Sequence, residues 1–129
     1  RNAAANAIEN AQFHAGDVGT IFSGAIATVL AERSAAGDYA RETAVVVDPP
    51  RAGCSDDFLG QLLDFGPATV VYVSCNPETL ARDAAVLVRG GAYQLFSVVP
   101  FDMFPQTRHI ECVATFRRSD PPPEPPSNV

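Results

Sequence analysis

The apolar positions of the chain alternate between stripes at helical spacing and short β-branched runs. A first stripe predicts a helix that ends near Ala36-Gly37. The runs Thr43–Val47 and Thr69–Ser74 lack polar alternation, which is typical of strands buried on both faces. The members of the helical stripe are Ile21, Phe22, Ala25, Ile26, Val29 and Leu30.

A predicted helix with a favoured N-cap residue follows each of the two runs. Ser55 is a favoured N-cap residue, and Gly66-Pro67 ends that helix. Asn76 is a favoured cap for the next helix, with Pro77 at its first position and Gly90-Gly91 at its end. The predicted inward faces are Phe58, Leu59, Leu62 and Leu63 in the first helix, and Leu80, Ala84, Leu87 and Val88 in the second.

The remaining segments complete an α/β pattern. Asn2–Ile8 reads as the end of a helix and Ala11–Ala15 as a short strand, while Tyr93–Val99 and His109–Arg117 predict two successive strands. Strands that alternate with helices predict a mostly parallel sheet, here ending in an antiparallel hairpin.

Composition is that of one ordinary domain or part of one, with 129 residues of which 47% are hydrophobic. We expect the domain to span 1–118 and the Pro-rich segment 119–129 to be a disordered tail. No apolar run approaches the roughly 20 residues of a membrane span, and Arg1 does not begin a signal peptide. Three cysteines give no disulfide framework, so we expect a reducing compartment: the cytoplasm or, in a eukaryotic cell, the nucleus or the mitochondrion as alternatives. The net charge of −6 argues against a main nucleic-acid docking surface.

Polar residues follow both buried runs, where ligand sites of parallel sheets lie. Asp48-Pro49-Pro50-Arg51 is a rigid turn that would keep a carboxylate in the crevice, or a common strand-to-helix connection. Cys75 precedes a helix N-terminus, whose free N–H groups and dipole favour the nucleophilic thiolate. The alternative is a buried, inert cysteine.

The final hairpin carries a loop dense in polar and aromatic groups. Glu111 begins its second strand and is either a general base in the cleft or a solvated edge residue. His109 reads as a hydrogen-bonded structural residue. Cys54, Cys75 and Cys112 show no C-x-x-C spacing, so we expect no metal site.

Three motifs together resemble the RNA uracil-5-methyltransferase family, in the family's order and at plausible separations. They span about half of the chain, and Asn2-Ala3 with Phe13 and Asp17 resembles the segment upstream of them. The motifs are Asp48-Pro49-Pro50-Arg51-Ala52-Gly53, Ser74-Cys75-Asn76-Pro77-Glu78-Thr79-Leu80-Ala81-Arg82-Asp83, and Asp102-Met103-Phe104-Pro105-Gln106-Thr107-Arg108-His109-Ile110-Glu111.

The resemblance implies the carboxy-terminal half of a class I (Rossmann-like) methyltransferase domain, with the last strand antiparallel beside the strand that ends at Cys75. It implies S-adenosyl-L-methionine as donor and a uridine of tRNA or rRNA as acceptor. Cys75 would add to carbon 6 of uracil, carbon 5 would take the methyl group, and Glu111 would remove the carbon 5 proton.

The resemblance also assigns supporting residues. Asp48 matches the position at the donor–base junction and Asp17 a position near the adenosyl group. Asn76 would cap its helix and orient Cys75. Arg51 and Arg82 are candidates for contact with substrate or for orientation, and Arg82 would either pair near Asp83 or touch RNA.

The family's donor-binding glycine loop and its ribose-binding acidic residue would lie before Asn2. We therefore expect this chain alone to be inactive, with most RNA contacts made by sequence outside it. Three alternatives stay open. The first is an amino-group methyltransferase, although such enzymes carry an aromatic residue where Arg51 stands. The second is an RNA cytosine-5 methyltransferase, which uses two cysteines, for which Cys54 and Cys75 are candidates. The third is a non-catalytic half-domain that would act as a binding module.

Overall fold

A mixed four-stranded sheet is the centre of the described chain. The computed structural model describes residues 2–33 and 42–119, with backbone only for 26–33. The predicted end of the first long helix near Ala36-Gly37 and most of the predicted Pro-rich tail lie outside these residues. In chain order the elements are α1 (Asn2–Ala5), α2 (Val18–Arg33), β1 (Ala44–Val47), α3 (Asp56–Phe65), β2 (Thr69–Ser74), α4 (Pro77–Arg89), β3 (Tyr93–Phe101) and β4 (Glu111–Arg118).

The sheet has the strand order β1-β2-β4-β3. β1 and β2 are parallel, whereas β4 is antiparallel to both β2 and β3. The α/β class and the terminal hairpin predicted from the sequence are confirmed. The last strand lies beside β2, and Ser74 pairs with Cys112. This pairing brings the beginning of β4 to the end of β2, the edge at which the predicted site lies.

One face of the sheet packs against α3 and α4. The buried cluster contains Phe58, Leu59, Leu62, Leu80, Leu87, Val47, Val70, Tyr72, Cys112, Ala114 and Phe116. On the opposite face Val46 is 67% exposed. The prediction that the first run is buried on both faces was therefore wrong. β1 is an edge strand of the described sheet, and α3 and α4 cover only the face toward which Val45 and Val47 point.

Three further sequence predictions need correction. Ala11–Ala15 forms no strand, because it pairs with no described strand, and Phe13 is 80% exposed. The helix predicted for Asn2–Ile8 ends at Ala5. Val88 is 36% exposed and does not face inward, whereas Asp83 is fully buried. Asp83 follows Leu80 by three residues and precedes Leu87 by four, so it shares their helix face.

The predicted helix caps are confirmed. Ser55 Oγ accepts a hydrogen bond from the Phe58 N–H at 3.2 Å, and Asn76 Oδ1 accepts from the Glu78 N–H at 3.2 Å. Gly66 ends α3 in the left-handed conformation that glycine adopts without steric cost. No helix in the described ranges is long and apolar enough to cross a membrane.

Candidate active site

Cys75 occupies a tight turn between β2 and α4. The Ser74 hydroxyl donates to the Asn76 carbonyl at 2.9 Å and accepts from the Asn76 N–H at 3.0 Å, so it closes the turn around Cys75. The Cys75 thiol is free and partly exposed. It precedes the N-cap residue of α4, where unpaired N–H groups and the helix dipole stabilise negative charge.

A cavity of about 480 Å³ opens beside Cys75. Its lining includes Arg51, Asn76, Arg108 and His109. The Arg51 guanidinium lies 3.5 Å from Nδ1 of His109. Residues from all three sequence motifs therefore meet at this cavity, but Asp48 and Glu111, which we expected to line one cleft with Cys75, are not among its lining residues.

Glu111 is the first residue of β4 and is partly buried. The next residue, Cys112, pairs with Ser74 on β2. Because β2 and β4 are antiparallel, the position after Ser74 is level with the position before Cys112. The register thus places Glu111 beside the strand end from which Cys75 follows.

The two residues predicted to contact the donor, Asp17 and Asp48, line a second cavity of about 480 Å³. Phe22 and Phe58 contribute to its apolar wall, and their rings meet edge to face with centroids 5.1 Å apart. Asp17 Oδ1 also accepts a hydrogen bond from the Thr20 N–H at 3.1 Å, at the start of α2.

The turn that contains Arg51 contributes lining residues to both cavities and is bound to α4 by hydrogen bonds. The backbone carbonyl of Arg51 accepts hydrogen bonds from the side-chain amide of Asn76 at 3.1 Å and from the Thr79 hydroxyl at 3.2 Å. Asn76 therefore joins the first motif to the second as well as capping α4. Arg82 forms a salt bridge with Asp83 at 2.7 Å, the first of the two roles considered for it.

Asp83, Tyr72 and Ser74 support the site through hydrogen bonds, and the sequence patterns did not predict this role for them. For Asp83 the sequence did contain a signal, namely its place at an apolar position of the helical stripe of α4. A carboxylate at such a position is rarely buried without hydrogen-bond or ion-pair partners. Tyr72 and Ser74 gave no comparable signal, since tyrosine is common in strands and serine at strand ends.

Cys54 lies in the wall of the cavity that Asp48 lines. Burial raises the pKa of the Cys54 thiol, and the nearby Asp83 carboxylate adds to the rise. The Cys54 thiol is therefore protonated near neutral pH, which makes it a poor nucleophile.

A comparison with known protein families shows to which family the chain belongs. The sequence profile of the tRNA (Uracil-5-)-methyltransferase family matches residues 1–119. The chain belongs to this family. An RNA methyltransferase of Gloeobacter violaceus, named as uncharacterized, is 47% identical over 119 residues, which are 92% of this chain and 22% of that protein.

A relative with a named activity is the tRNA (uracil(54)-C(5))-methyltransferase of Schizosaccharomyces pombe. It is 40% identical over 120 residues, or 91% of this chain and 21% of that protein. This chain thus spans about a fifth of the length of these curated relatives.

A solved structure also resembles the chain. The Pyrococcus abyssi tRNA (uracil-54, C5)-methyltransferase in complex with S-adenosyl-L-homocysteine aligns with a TM-score of 0.52 and 46% identity. The alignment covers 57% of this chain and 18% of that one. Together with the mixed sheet, this likeness agrees with the predicted half of a class I methyltransferase domain.

Alkylation should distinguish the three cysteines. With iodoacetamide at pH 8 we expect Cys75 to react first, because Cys112 is buried and the Cys54 thiol stays protonated. Labelling of Cys54 should rise only at a higher pH than that of an ordinary cysteine thiol, because burial raises its pKa. Peptide mass spectrometry measures each site, and faster labelling of Cys54 than of Cys75 at pH 8 would refute this assignment.

Proposed function

We propose that this chain provides the carboxy-terminal part of the catalytic domain of an RNA (uracil-5-)-methyltransferase that uses S-adenosyl-L-methionine. The observation that carries the proposal is the meeting of Arg51, Cys75 and His109, one from each motif, at a single cavity. Family membership over residues 1–119 supports the same activity. The names of the relatives favour a uridine of tRNA as the substrate.

The reaction begins with Cys75. Its thiolate adds to carbon 6 of uracil, which forms a carbon–sulfur bond and moves electron density to carbon 5. Cys75 lies directly before the N-cap residue of α4 and lines the cavity that would hold the ring. When bound, S-adenosyl-L-methionine would supply an electrophilic methyl group to the nucleophilic carbon 5, and the broken methyl–sulfur bond would leave S-adenosyl-L-homocysteine. Without addition at carbon 6, the uracil carbon 5 is a poor nucleophile.

Glu111 completes the cycle as general base. Its carboxylate takes the proton from carbon 5 after methylation, and the electron pair left behind reforms the double bond as the bond to Cys75 breaks. The thiolate is regenerated. The register that puts Glu111 level with the residue after Ser74 supports this role.

The cavity that Asp17 and Asp48 line is a suitable part of a donor site. Apolar walls at Phe22 and Phe58 suit a nucleobase or the methylene groups of the donor, and carboxylates suit its amino and hydroxyl groups. Asp48 lies at the end of β1, next to the turn that borders the Cys75 cavity, which supports its place at the donor–base junction. We propose that residues outside this chain complete the donor site and that the chain alone is inactive.

RNA contact by this chain is confined in our proposal to the mouth of the Cys75 cavity. Arg51 and Arg108 supply positive charge there, although the whole chain carries a net charge of −6. The rest of the phosphate contacts would come from other parts of the protein. A cytosine-5 mechanism is disfavoured, because it needs a second reactive cysteine and the Cys54 thiol has a raised pKa.

Replacement of Cys75 tests the nucleophile. In the complete polypeptide, Cys75→Ala should lower methylation by at least about 10³-fold, because no other group replaces the attacking thiolate. It should also abolish the covalent complex with 5-fluorouridine RNA on denaturing gels. Cys54→Ala is the matched control and should still form the complex; a complex that persists in Cys75→Ala and vanishes in Cys54→Ala would exclude our assignment.

Replacement of Glu111 tests the base. Glu111→Gln keeps the shape but loses the basicity needed to remove the carbon 5 proton, so turnover should fall by roughly 10²-fold. The enzyme should stall after methyl transfer, with methylated natural RNA bound through Cys75 as a slow band on denaturing gels. Glu42→Gln, at an exposed carboxylate before β1 that lines neither cavity, is a control that should leave turnover unchanged. If Glu111→Gln turns over normally and gives no such band, Glu111 is not the base but a polar residue at the edge of the sheet.

A further inference from the structure

A fully buried carboxylate on α4 has no part in the proposed reaction. Asp83 is 0% exposed, yet its oxygens accept hydrogen bonds from the Tyr72 hydroxyl at 2.6 Å, the Cys54 N–H at 2.8 Å and Arg82 Nε at 2.8 Å. A carboxylate out of contact with water is stable only when such partners replace its hydration. One of these partners is the backbone of the loop that follows the Asp48 turn.

Arg82 extends the same contact to the loop carbonyls. While Nε binds Asp83, Nη2 donates to the Ala52 carbonyl at 3.0 Å and to the Cys54 carbonyl at 3.1 Å. The planar fork of a guanidinium allows these directions at once, which the ammonium group of a lysine does not. The side chain itself is 52% exposed, so it is not part of the apolar core.

Gly53 lies between the two bound residues and fits only as glycine. Its φ of +80° lies in the left-handed region, and a Cβ atom there would stand 2.5 Å from Arg82 Nη2 and 2.7 Å from Asp83 Oδ2. The Gly53 N–H also donates to the Pro50 carbonyl at 2.8 Å, which closes the turn. The loop backbone therefore lies directly against the Arg82–Asp83 pair.

We infer that Tyr72, Arg82 and Asp83 form a loop clamp, whose function is to position Arg51 and Asp48 relative to Cys75. α4 begins directly behind Cys75 and carries Arg82 and Asp83 further along. The same helix thus fixes the nucleophile at its start and the loop along its side. This inference rests on the proposed function and assigns Arg82 and Asp83 as positioning residues that do not touch the substrate.

Arg82 provides the cleaner test, because loss of the buried Asp83 would endanger folding itself. In the complete polypeptide, Arg82→Ala and Arg82→Lys should both slow single-turnover methylation of saturating tRNA by about 10- to 100-fold, the cost of a misplacement near 1 Å. Affinity for tRNA should stay within about twofold, since no phosphate contact is lost. Arg89→Ala removes the same charge from the last turn of α4 and should leave both quantities unchanged.

Two kinetic outcomes would overturn the clamp as a positioning device. If Arg82 binds phosphate directly, Arg82→Lys should keep most activity, and Arg82→Ala should weaken tRNA binding and lower its salt dependence. If the clamp serves stability alone, the variants should melt at lower temperature but turn over normally per folded molecule.

Amide hydrogen exchange tests the clamp without relying on methylation. The Cys54 N–H donates to Asp83, so exchange at Cys54 should speed up by at least about tenfold in Arg82→Lys, while the amides of β2 stay unchanged. Unaltered exchange at Cys54 would refute the clamp. Should the wild-type polypeptide form no adduct with 5-fluorouridine RNA, the proposed function fails, and exchange at Cys54 still upholds or refutes the clamp by itself.

Discussion

The buried carboxylate of Asp83 is the contact on which the arrangement of the candidate site depends. Placed on the apolar face of α4, it requires hydrogen-bond donors, and it obtains them from Tyr72 on β2, from Arg82 and from the Cys54 backbone. Each donor belongs to an element that borders the site. Satisfying one charge therefore fixes the mutual positions of a strand, a helix and a loop.

The antiparallel β4 supplies the second constraint. Parallel strands alone would bring only their carboxyl ends to the site, namely Asp48 after β1 and Cys75 after β2. Because β4 runs in the opposite direction, its first residue, Glu111, reaches the same edge. The residues that we propose as nucleophile and base, which are distant in sequence, therefore lie at one edge of the sheet, and the loop before β4 adds His109 against Arg51.

Local signals in the sequence predicted much of this arrangement. The caps Ser55 and Asn76 and the strand bounds of β2 followed from residue chemistry and are confirmed. The burial of β1 was wrong, because a β-branched run cannot reveal whether an element covers its second face, and Val46 is exposed. The role of Asp83 was missed because a buried charge depends on partners that only the tertiary fold brings together. The functions of Cys75 and Glu111 stay predictions.

The most direct test of the account is the site of attachment in the adduct of the complete polypeptide with tRNA that contains 5-fluorouridine. After digestion with trypsin and ribonuclease, Cys54 and Cys75 lie on one peptide, 52–82, and Cys112 lies on another, 109–117. Fragmentation mass spectrometry locates the added nucleotide. We predict a methylated fluorouridine adduct on Cys75, and attachment to Cys54 or Cys112 would contradict the assignment of Cys75 as nucleophile.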